Sequence, residues 1–387
     1  MKSNALIIDP YSHGSYHEVI NLGYLIMISD LYEKVDYIAD ESSCKNLKNL
    51  LLQCKVKSDN INFIQKKISY PKCNIKGIEY LLKIILLSIF DYFYYLRAIK
   101  DSDIFYNNNI FFATPLIQWF SFGKSNKTFI LCHNEMELID KSFVYSLTTK
   151  IISFVLRFSF CYIKLSKRLN YILLSSSMVD YFNSFISKRN YNRIFAIDHC
   201  YLRPIRHYSE ELVEQSYIRI GIPGAITPQR GLETLKQIIQ DLKNDKLKIF
   251  SISTISDDIQ NEQFVSLNKG TSLLPFEKYN SYIKAMDYML LFYDRDSYKL
   301  TASGAVLEAI WNEKPIIALR NSYFTYLFEK FGPLGYLYDS YEQLTEGLTH
   351  LDNQIDNSII INLKKAKQAL LPCNVKKQLK DIVSCKN

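Results

Sequence analysis

Short apolar runs alternate with amphipathic segments along almost the whole chain. The runs are rich in Ile, Val, Phe and Tyr and rarely alternate apolar with polar residues, which is typical of strands buried on both faces of a parallel sheet. Helix-like segments such as Glu18–Leu31 and Ile78–Lys100 separate them. The repeated order of strand, helix and strand predicts a doubly wound α/β sheet. Candidate strands of the first half are Ala5–Asp9, Val35–Ala39, Ile61–Ile64, Ile104–Tyr106, Thr128–Cys132, Tyr171–Ser175 and Arg193–Ile197.

The alternation stops near Asp198–Ser216 and then restarts. Because 387 residues are long for one domain and comfortable for two, we predict an α/β chain of two Rossmann-like domains, residues 1–205 and 217–355, that face each other across a cleft. We expect a C-terminal helical segment, 356–387, to pack back on the N-terminal domain. Ligands of open α/β sheets bind beyond the carboxyl ends of the strands, so the cleft is the predicted site.

Composition narrows the class of protein. Hydrophobic residues make up 48% and charged residues 22% of the chain, which favours a large packed core over disorder. The net charge of +8 suits anionic partners. The eight cysteines form no C-x-x-C pair and match no zinc spacing, which indicates reduced thiols, and the N-terminus lacks the apolar segment of a signal peptide. We therefore expect a cytoplasmic protein.

The longest apolar stretch near the N-terminus runs from Ile78 to Ile99. Four charged residues interrupt it, so it does not offer the roughly 20 apolar residues that a membrane-spanning helix needs. We interpret this stretch as a buried or half-buried helix. The interrupting residues are Glu79, Lys83, Asp91 and Arg97.

The segment Ile218–Gly231 has the form of a strand, a glycine-containing loop and a helix start. Gly224 lets the backbone approach an anion closely, and Arg230 offers a forked, charge-assisted contact to a phosphate. The glycine spacing is neither the dinucleotide fingerprint nor a P-loop. The alternative is an ordinary turn between strand and helix with a solvated Arg230.

A second signal lies where a helix begins at Ser303 and Gly304. Ser is a favoured N-cap, Gly permits close approach, and the amides up to Ala305 can bind a diphosphate. Glu308 follows about one turn later, where its carboxylate can accept hydrogen bonds from a ribose diol. The alternative for Glu308 is a surface acid on a helix.

A third segment, Leu273–Asp287, precedes an apolar strand. Pro275 and Phe276 interrupt the preceding extended run and could form the wall of a slot for a base, whose edge the Leu274 backbone would contact. A plain connecting loop is the alternative.

In order and spacing, these three segments resemble the C-terminal domain of GT-B glycosyltransferases, especially the retaining, family-four-like group. Arg230 stands where that family has Lys, and Ala225 replaces the basic residue five positions earlier. Glu308 matches the second Glu of the family's E-x7-E pattern, which binds the ribose. Leu300 replaces the first Glu, which contacts the donor sugar, so retaining stereochemistry is only weakly favoured. The resemblance covers about Ile218 to Ser340.

The first half shares two weaker features with this family. The loop Tyr11–Ser15 resembles the family's glycine-containing loop, which implies a diphosphate contact at Gly14. His133, after a middle strand, resembles the family's histidine, which implies a catalytic role. A histidine with its hydrogen bonds satisfied at a strand end is the alternative. His13 and His17 are further candidates, but their spacing with Glu18 is not a zinc motif, so we predict no metal.

The stretch from Lys141 to Asn170 contains six basic residues and no acid. Lys150, Arg157 and Lys164 recur every seven residues, so on one helix they would share a face, and aromatic residues lie between them. A cationic aromatic helix of this kind predicts contact with an anionic membrane surface. The alternative is a core helix with a solvated basic face.

The resemblance implies a glycosyltransferase that moves a sugar from a nucleotide-sugar donor to a glycan or lipid-linked acceptor in surface polysaccharide biosynthesis. It implies a metal-independent enzyme whose nucleotide sugar is a substrate rather than a cofactor, on the inner face of the membrane, with no nucleic-acid partner. Two alternatives stay open: a non-catalytic GT-B-like partner subunit of a glycosyltransferase complex, and a sugar-nucleotide epimerase.

Overall fold

The computed structural model describes residues 3–10, 12–14, 17–66, 77–107, 113–133, 135–204, 216–270, 274–293 and 298–385. The chain divides into two compact units. The first comprises Met1–Ile205, Lys299–Ala302 and Leu370–Asn387, and the second comprises Arg206–Tyr298 and Ser303–Ala369. Most of the seam expected near residue 210, residues 205–215, lies outside the described residues.

The first unit contains a parallel sheet of seven strands in the order β3-β2-β1-β4-β5-β6-β7. Its helices follow the strands as the sequence predicts. The strands are β1 (Asn4–Ile8), β2 (Lys34–Asp40), β3 (Ile61–Lys66), β4 (Ser102–Asn107), β5 (Thr128–Leu131), β6 (Leu169–Leu173) and β7 (Ile194–Ala196). The helices are α1 (Glu18–Ser29), α2 (Glu41–Gln53), α3 (Gly77–Arg97), α4 (Thr114–Phe120), α5 (Leu147–Cys161) and α6 (Ser176–Asn183).

The second unit contains a parallel sheet of six strands in the order β10-β9-β8-β11-β12-β13. The strands are β8 (Ile218–Ile222), β9 (Leu247–Ser251), β10 (Phe264–Ser266), β11 (Tyr288–Leu291), β12 (Ile316–Leu319) and β13 (Gly335–Tyr338). The helices are α7 (Leu232–Asp241), α8 (Phe276–Ala285), α9 (Gly304–Trp311), α10 (Ser322–Phe331), α11 (Tyr341–Thr349) and α12 (Asn357–Ala369).

Central strands of both sheets are covered on both faces. Every residue of β4, β5, β6 and β11 is buried. Burial on two faces removes the usual alternation of apolar and polar residues, which is why these strands read as continuous apolar runs. The prediction of an α/β chain with two Rossmann-like domains is confirmed.

The strand order reverses between β1 and β4 in the first sheet and between β8 and β11 in the second. At such a switch point the connecting segments diverge and leave a crevice beyond the carboxyl ends of the two strands. Each unit therefore has one switch point, at Asp9 and Asn107 in the first unit and at Pro223 and Phe292 in the second.

The C-terminal helical segment is divided between the units. Helix α12 belongs to the second unit, whereas the last helix, α13 (Pro372–Ser384), belongs to the first and packs against α1. An ion pair of 2.7 Å joins Lys376 Nζ to Asp30 Oδ2, and the Gln378 side chain donates to Asp198. The C-terminal helix thus packs on the N-terminal domain, as expected.

The helix predicted to carry Lys150, Arg157 and Lys164 on one face is shorter than the sequence indicates. Helix α5 ends at Cys161, so Lys164 lies beyond it. The Asn190 side chain explains the end, because its Nδ2 donates to the carbonyls of Phe160 and Ile163 at 3.0 and 2.9 Å. Carbonyls at the end of a helix lack a donor within the helix, and this amide supplies one.

Helix α3 covers the apolar stretch from Ile78 to Ile99 and is half-buried, as predicted. One stripe packs inward through Ile84, Leu87 and Tyr95, while the opposite stripe is apolar and exposed. Within the described part of the chain, no helix is long and apolar enough to cross a membrane.

Candidate functional site

The loop after β8 packs closely against the residues that follow β11. A Cβ built at Gly224 would lie 2.7 Å from Tyr293 Oη, and one built at Gly231 would lie 2.7 Å from Phe292 Cε2. Gly231 also has a φ of 81°, a conformation that residues with a side chain rarely adopt. Gly231 is therefore required by its backbone conformation and by the nearby Phe292 ring, and Gly224 leaves room for the Tyr293 hydroxyl.

An aromatic bridge connects this loop to the start of α9. The Tyr293 and Tyr298 rings make an edge contact at 5.0 Å, and the Tyr298 hydroxyl lies near the side chain of Ser303. Burial raises the pKa of both phenols, and the positive charge of Arg230 acts on both in the opposite direction. Arg230 is exposed at the end of the loop. It is therefore close enough to Tyr293 and Tyr298 for its charge to act on both.

Tyr298 holds an unusual backbone conformation, with a φ of 60°. A bulky residue in this region costs about 1–3 kcal/mol, so surrounding contacts must compensate. Stacking on Phe324 at 6.0 Å and the edge contact with Tyr293 at 5.0 Å supply them. The bridge is thus a fixed element of the second unit.

Helix α9 begins as the sequence predicts. Ser303 is its N-cap, with Oγ accepting from the Val306 amide at 3.4 Å. Gly304 is exposed, and outside its own helix no described heavy atom lies within 4 Å of a Cβ built there. The first N–H groups of a helix have no acceptor within the helix, so this end, including Ala305, can receive an anion. Glu308, one turn further, is only 6% exposed.

The predicted base-binding segment lies near the same edge of the sheet. Pro275 is the exposed N-cap of α8, and Leu274 before it is half-buried. One turn into α8, the Tyr279 hydroxyl donates to the Pro223 carbonyl at 3.0 Å, which ties the helix to the loop after β8. The structure therefore groups Gly224, Arg230, Ser303 and Leu274 at one edge; residue 273 lies outside the described residues.

Two residues near this edge, Lys314 and Leu300, have structural roles. Lys314, which precedes the proline before β12, donates to the carbonyls of Lys284 and Met286 at 2.6 and 2.7 Å and so fixes the end of α8. Leu300, in place of the first Glu, is 1% exposed. An apolar side chain is the stable choice at a position with this degree of burial, because an unpaired carboxylate there would be costly.

Gly14, in the first unit, adopts a left-handed conformation with a φ of 56°. Its N–H donates to Ser42 Oγ at 2.7 Å, so this amide is already engaged. Tyr11 and Ser15 of the same predicted loop lie outside the described residues. A diphosphate contact at Gly14 stays a prediction.

A buried polar network, not anticipated from the sequence, holds the loop after β1. Asp9 accepts hydrogen bonds from the Tyr37 hydroxyl, the Asn21 amide and the Ser12 backbone at 2.5, 2.7 and 3.2 Å. Burial raises the pKa of Asp9, and the bonds from Tyr37 and Ser12 act against that rise. The network fixes the backbone at the first switch point.

A buried cation supports the same loop from β3. Lys66 Nζ donates to the Pro10 carbonyl at 2.9 Å and lies 3.5 Å from Asp91 Oδ1. The pKa of Asp91 is raised to about 6, because the effect of burial outweighs that of the positive charge of Lys66, which lowers it. Breaking such a buried pair on one side leaves an uncompensated charge, so Lys66 and Asp91 depend on each other.

His133 follows β5 and lies within a cluster of rings. The centroids of His17, Tyr24 and His199 are 5.3, 5.6 and 6.2 Å from that of His133. Burial lowers the pKa of His17 and His199 to about 4 and that of His133 well below its usual value of 6.5. His133 is therefore neutral at pH 7 and can exchange hydrogen bonds with a sugar hydroxyl, but it carries no charge.

Sequence reasoning missed Tyr293, Tyr298 and His199. Their types give no signal, because aromatic residues are common along this chain and His199 lies near the seam. His13 and His17 were named, and the charge of His13 reaches His17. Among the described residues, no group of three His, Cys, Asp or Glu side chains could hold a metal ion.

No family model and no curated protein matches the sequence. Solved structures do match. Sucrose-phosphate synthase from Thermosynechococcus elongatus is 14% identical, with 99% of this chain and 98% of that chain covered and a TM-score of 0.67. A mutant of S. aureus TarM in complex with Fondaparinux, alpha-GlcNAc-glycerol and UDP is 12% identical, with 100% of both chains covered and a TM-score of 0.59.

WaaG, a glycosyltransferase involved in lipopolysaccharide biosynthesis, is 12% identical over 99% of this chain and 100% of its own, with a TM-score of 0.56. These identities are low, so the likeness is one of fold. The chain has the GT-B fold of glycosyltransferases, with two parallel-sheet domains, as its sequence resemblance implies.

The Gly231→Ala variant should be less stable by about 1–3 kcal/mol, because Ala is strained at this positive φ and its Cβ would meet the Phe292 ring. Urea unfolding monitored by circular dichroism measures the change. Gly123→Ala is the matched control, because no described heavy atom lies within 4 Å of the added Cβ. Equal unfolding midpoints for the two variants would contradict the close packing of this loop.

The histidine cluster should make the protein sensitive to mild acid. The folded-state pKa values of His17, His133 and His199 lie below those of the unfolded chain, so the unfolded state binds more protons between about pH 4 and 6.5. The contribution of these three histidines to the free energy of unfolding should therefore be fully retained above about pH 6.5 and decrease as the pH falls towards 4. Urea midpoints at about pH 7 and pH 5 measure this decrease.

His133→Gln, which cannot be protonated, should reduce that decrease. His350→Gln, at an exposed histidine of the second unit, is the control and should behave like the wild type. If the His133 variant loses as much stability as the wild type between the two pH values, the cluster does not have the proposed protonation states.

Proposed function

We propose that this protein is a glycosyltransferase that moves a sugar from a nucleotide-sugar donor to a glycan or lipid-linked acceptor. One observation carries the proposal: the bridge of Tyr293 and Tyr298 joins the Arg230 loop to the N-cap Ser303 of α9. A guanidinium, a helix N-terminus and the buried Glu308 one turn further make a site suited to a nucleoside diphosphate. The GT-B fold supports this assignment.

In the proposed complex, the donor diphosphate docks against the amino end of α9. The amides of Gly304 and Ala305 donate to phosphate oxygens, and Arg230 adds a charge-assisted, forked contact. Gly224 allows the loop to approach the phosphates. Glu308 accepts hydrogen bonds from both ribose hydroxyls, and the Leu274–Pro275 segment contacts the base.

Catalysis in this proposal rests on stabilising the departing nucleoside diphosphate. Arg230 and the positive end of the α9 dipole bear the negative charge that develops on the leaving group, without a metal ion. Neutral His133 hydrogen-bonds to a hydroxyl of the donor sugar and positions it. A buried, uncharged imidazole suits this role, because it can donate with one nitrogen and accept with the other.

The acceptor and the cellular place belong to the same proposal. WaaG is described as acting in lipopolysaccharide biosynthesis, and the TarM complex contains UDP and a glycan. By analogy, we infer a surface glycan or lipid-linked acceptor for this chain, with the basic segment 141–170 in contact with the inner face of an anionic membrane. The family resemblance favours retention of stereochemistry. It does so only weakly, because Leu300 replaces a carboxylate of the family pattern.

A second candidate function is a non-catalytic GT-B-like partner subunit. Two observations favour it: Leu300 is buried and apolar where the family has a Glu, and Ala225 stands in place of a basic residue. A partner subunit of this kind would neither bind nor hydrolyse a nucleotide sugar. A sugar-nucleotide epimerase would need acids and bases around the sugar ring, and no residue set in the described structure supports it.

Donor binding tests the proposal directly. In a thermal-shift screen against UDP-, GDP-, ADP- and CMP-sugars, we expect one nucleotide class to raise the melting temperature. Arg230→Ala should weaken the binding of that donor by roughly 10- to 100-fold, because it removes a charge-assisted contact to phosphate. Glu308→Ala should weaken it similarly and should also reduce the preference for ribose over 2′-deoxyribose nucleotides.

Lys243→Ala is the matched control, because it removes an equal charge from an exposed position beyond α7. It should bind the donor like the wild type. If no nucleotide sugar shifts the melting temperature and no donor hydrolysis is detected, the partner-subunit function is correct and the enzymatic one is wrong. If donor binding is normal in the Arg230 and Glu308 variants, the site lies elsewhere.

A further inference from the structure

Three neighbouring helices of the first unit, α3, α4 and α5, expose a large number of apolar side chains. Of the 21 large hydrophobic residues that are exposed in the described structure, 17 lie on or beside these helices. Soluble monomers rarely expose contiguous apolar patches larger than a few hundred Å², and larger ones mark interaction sites. We refer to these 17 residues as the apolar face: Ile78, Leu82, Leu86, Ile89, Phe90, Phe93, Leu96, Ile99, Leu116, Trp119, Phe120, Phe122, Tyr145, Leu147, Phe154, Phe158 and Tyr162.

The apolar face follows the helical repeat and is not a random scatter. On α3, its members recur at steps of three or four residues, so they form one stripe opposite the buried stripe of the same helix. On α5, the rings of Phe154, Phe158 and Tyr162 follow one another at 6.4 and 6.0 Å. Trp119 on α4 is 69% exposed.

A cavity of about 540 Å³ lies at α5 beside this face. Three cations and three aromatic rings line it: Lys141, Lys150, Arg157, Phe154, Phe158 and Tyr162. Such a cavity offers positive charge at one part of its wall and apolar surface at another. This combination suits an amphiphile with an anionic head group.

The cations of the cavity are positioned by the fold. Arg157 Nη1 donates to the Ile139 carbonyl at 2.9 Å, which holds the guanidinium and leaves its other N–H groups available to a phosphate. A capping box of Ser146 and Thr149 fixes the start of α5 close to Lys150. Across the described ranges, no carboxylate forms an ion pair with Lys141, Lys150 or Arg157.

The surrounding sequence has the same charge bias. Residues 141–170, which contain the cations of the cavity, include six basic residues and no acidic residue. This excess opposes pairing of the apolar face with a second copy, because a two-fold interface would bring like charges together. It favours an anionic surface instead.

We propose that the apolar face inserts into the interfacial region of an anionic phospholipid bilayer, while the cavity binds the phosphate of a lipid head group. Lys141, Lys150 and Arg157 contact the phosphate, and the aromatic row of α5 contacts the upper part of the acyl chains. The inference rests on the proposed function in that a lipid-linked acceptor places the enzyme at a membrane. The membrane contact expected from segment 141–170 involves α5 alone. This inference adds α3 and α4 to that contact, together with a binding site for a lipid head group.

Vesicle flotation tests this proposal with the full chain. Vesicles of phosphatidylcholine with phosphatidylglycerol should bind the protein at low salt, and vesicles of phosphatidylcholine should bind it far more weakly. The variant K141Q/K150Q/R157Q should reduce partitioning to the anionic vesicles by roughly a hundredfold, because each basic side chain near an anionic leaflet contributes roughly a fivefold factor. F154S/F158S should reduce partitioning to both kinds of vesicle.

The control K45Q/K55Q/K57Q removes three exposed lysines on and after α2 and should partition like the wild type. Inorganic phosphate should release the protein no more than chloride of equal ionic strength, since the ligand is a lipid. The proposal is overturned if K141Q/K150Q/R157Q partitions like the wild type, if both vesicle types bind equally, or if free phosphate competes beyond its ionic strength. Dimers in ultracentrifugation that F154S/F158S dissociates, without vesicle binding, would also overturn it.

The same variants separate this inference from the proposed function. Donor binding in the thermal-shift screen should be unchanged in K141Q/K150Q/R157Q, because none of these three residues belongs to the proposed donor site. Donor binding without vesicle binding overturns the lipid site and leaves the transferase function intact. Vesicle binding without donor binding overturns the transferase function and leaves the lipid site intact.

Discussion

Burial of both faces of each parallel sheet is the constraint on which the rest of the structure depends. Helices cover the faces, so side chains within the central strands form the core and have no access to a ligand. Polar chemistry is thereby confined to the loops at the carboxyl ends of the strands. The strand order reverses once in each sheet. Each reversal leaves a crevice beyond the carboxyl ends of two strands, at Asp9 in the first sheet and at Pro223 in the second.

The two units meet this constraint with different chemistry. The edge of the second sheet combines a guanidinium, a helix N-terminus and a buried carboxylate, which suits a diphosphate and a ribose. The edge of the first sheet contains neutral histidines around His133 and a polar network centred on Asp9, with the pKa of the histidines lowered by burial. One edge can stabilise negative charge, and the other can position hydroxyl groups without adding charge.

Stability and function compete at two places in this fold. Tyr298 retains a left-handed backbone because its ring is fixed by Tyr293 and Phe324, and the contact with Tyr293 connects the Arg230 loop to the residues before α9. The apolar face of α3, α4 and α5 leaves large hydrophobic side chains in water, which lowers solubility. Such exposure is explained if an anionic membrane covers it.

The sequence by itself determined the alternation of strands and helices, the two-domain organisation and the start of α9 at Ser303, because these follow from local periodicity and capping. It also indicated Gly224, Arg230 and Glu308 as a group, since they occupy strand ends and helix starts. Only the tertiary structure decided the aromatic bridge, the Asp9 network, the histidine cluster and the end of α5 at Cys161, where Asn190 caps the helix. Each of these joins residues that belong to different elements, and the separation of such residues along the chain carries no information about which side chains meet.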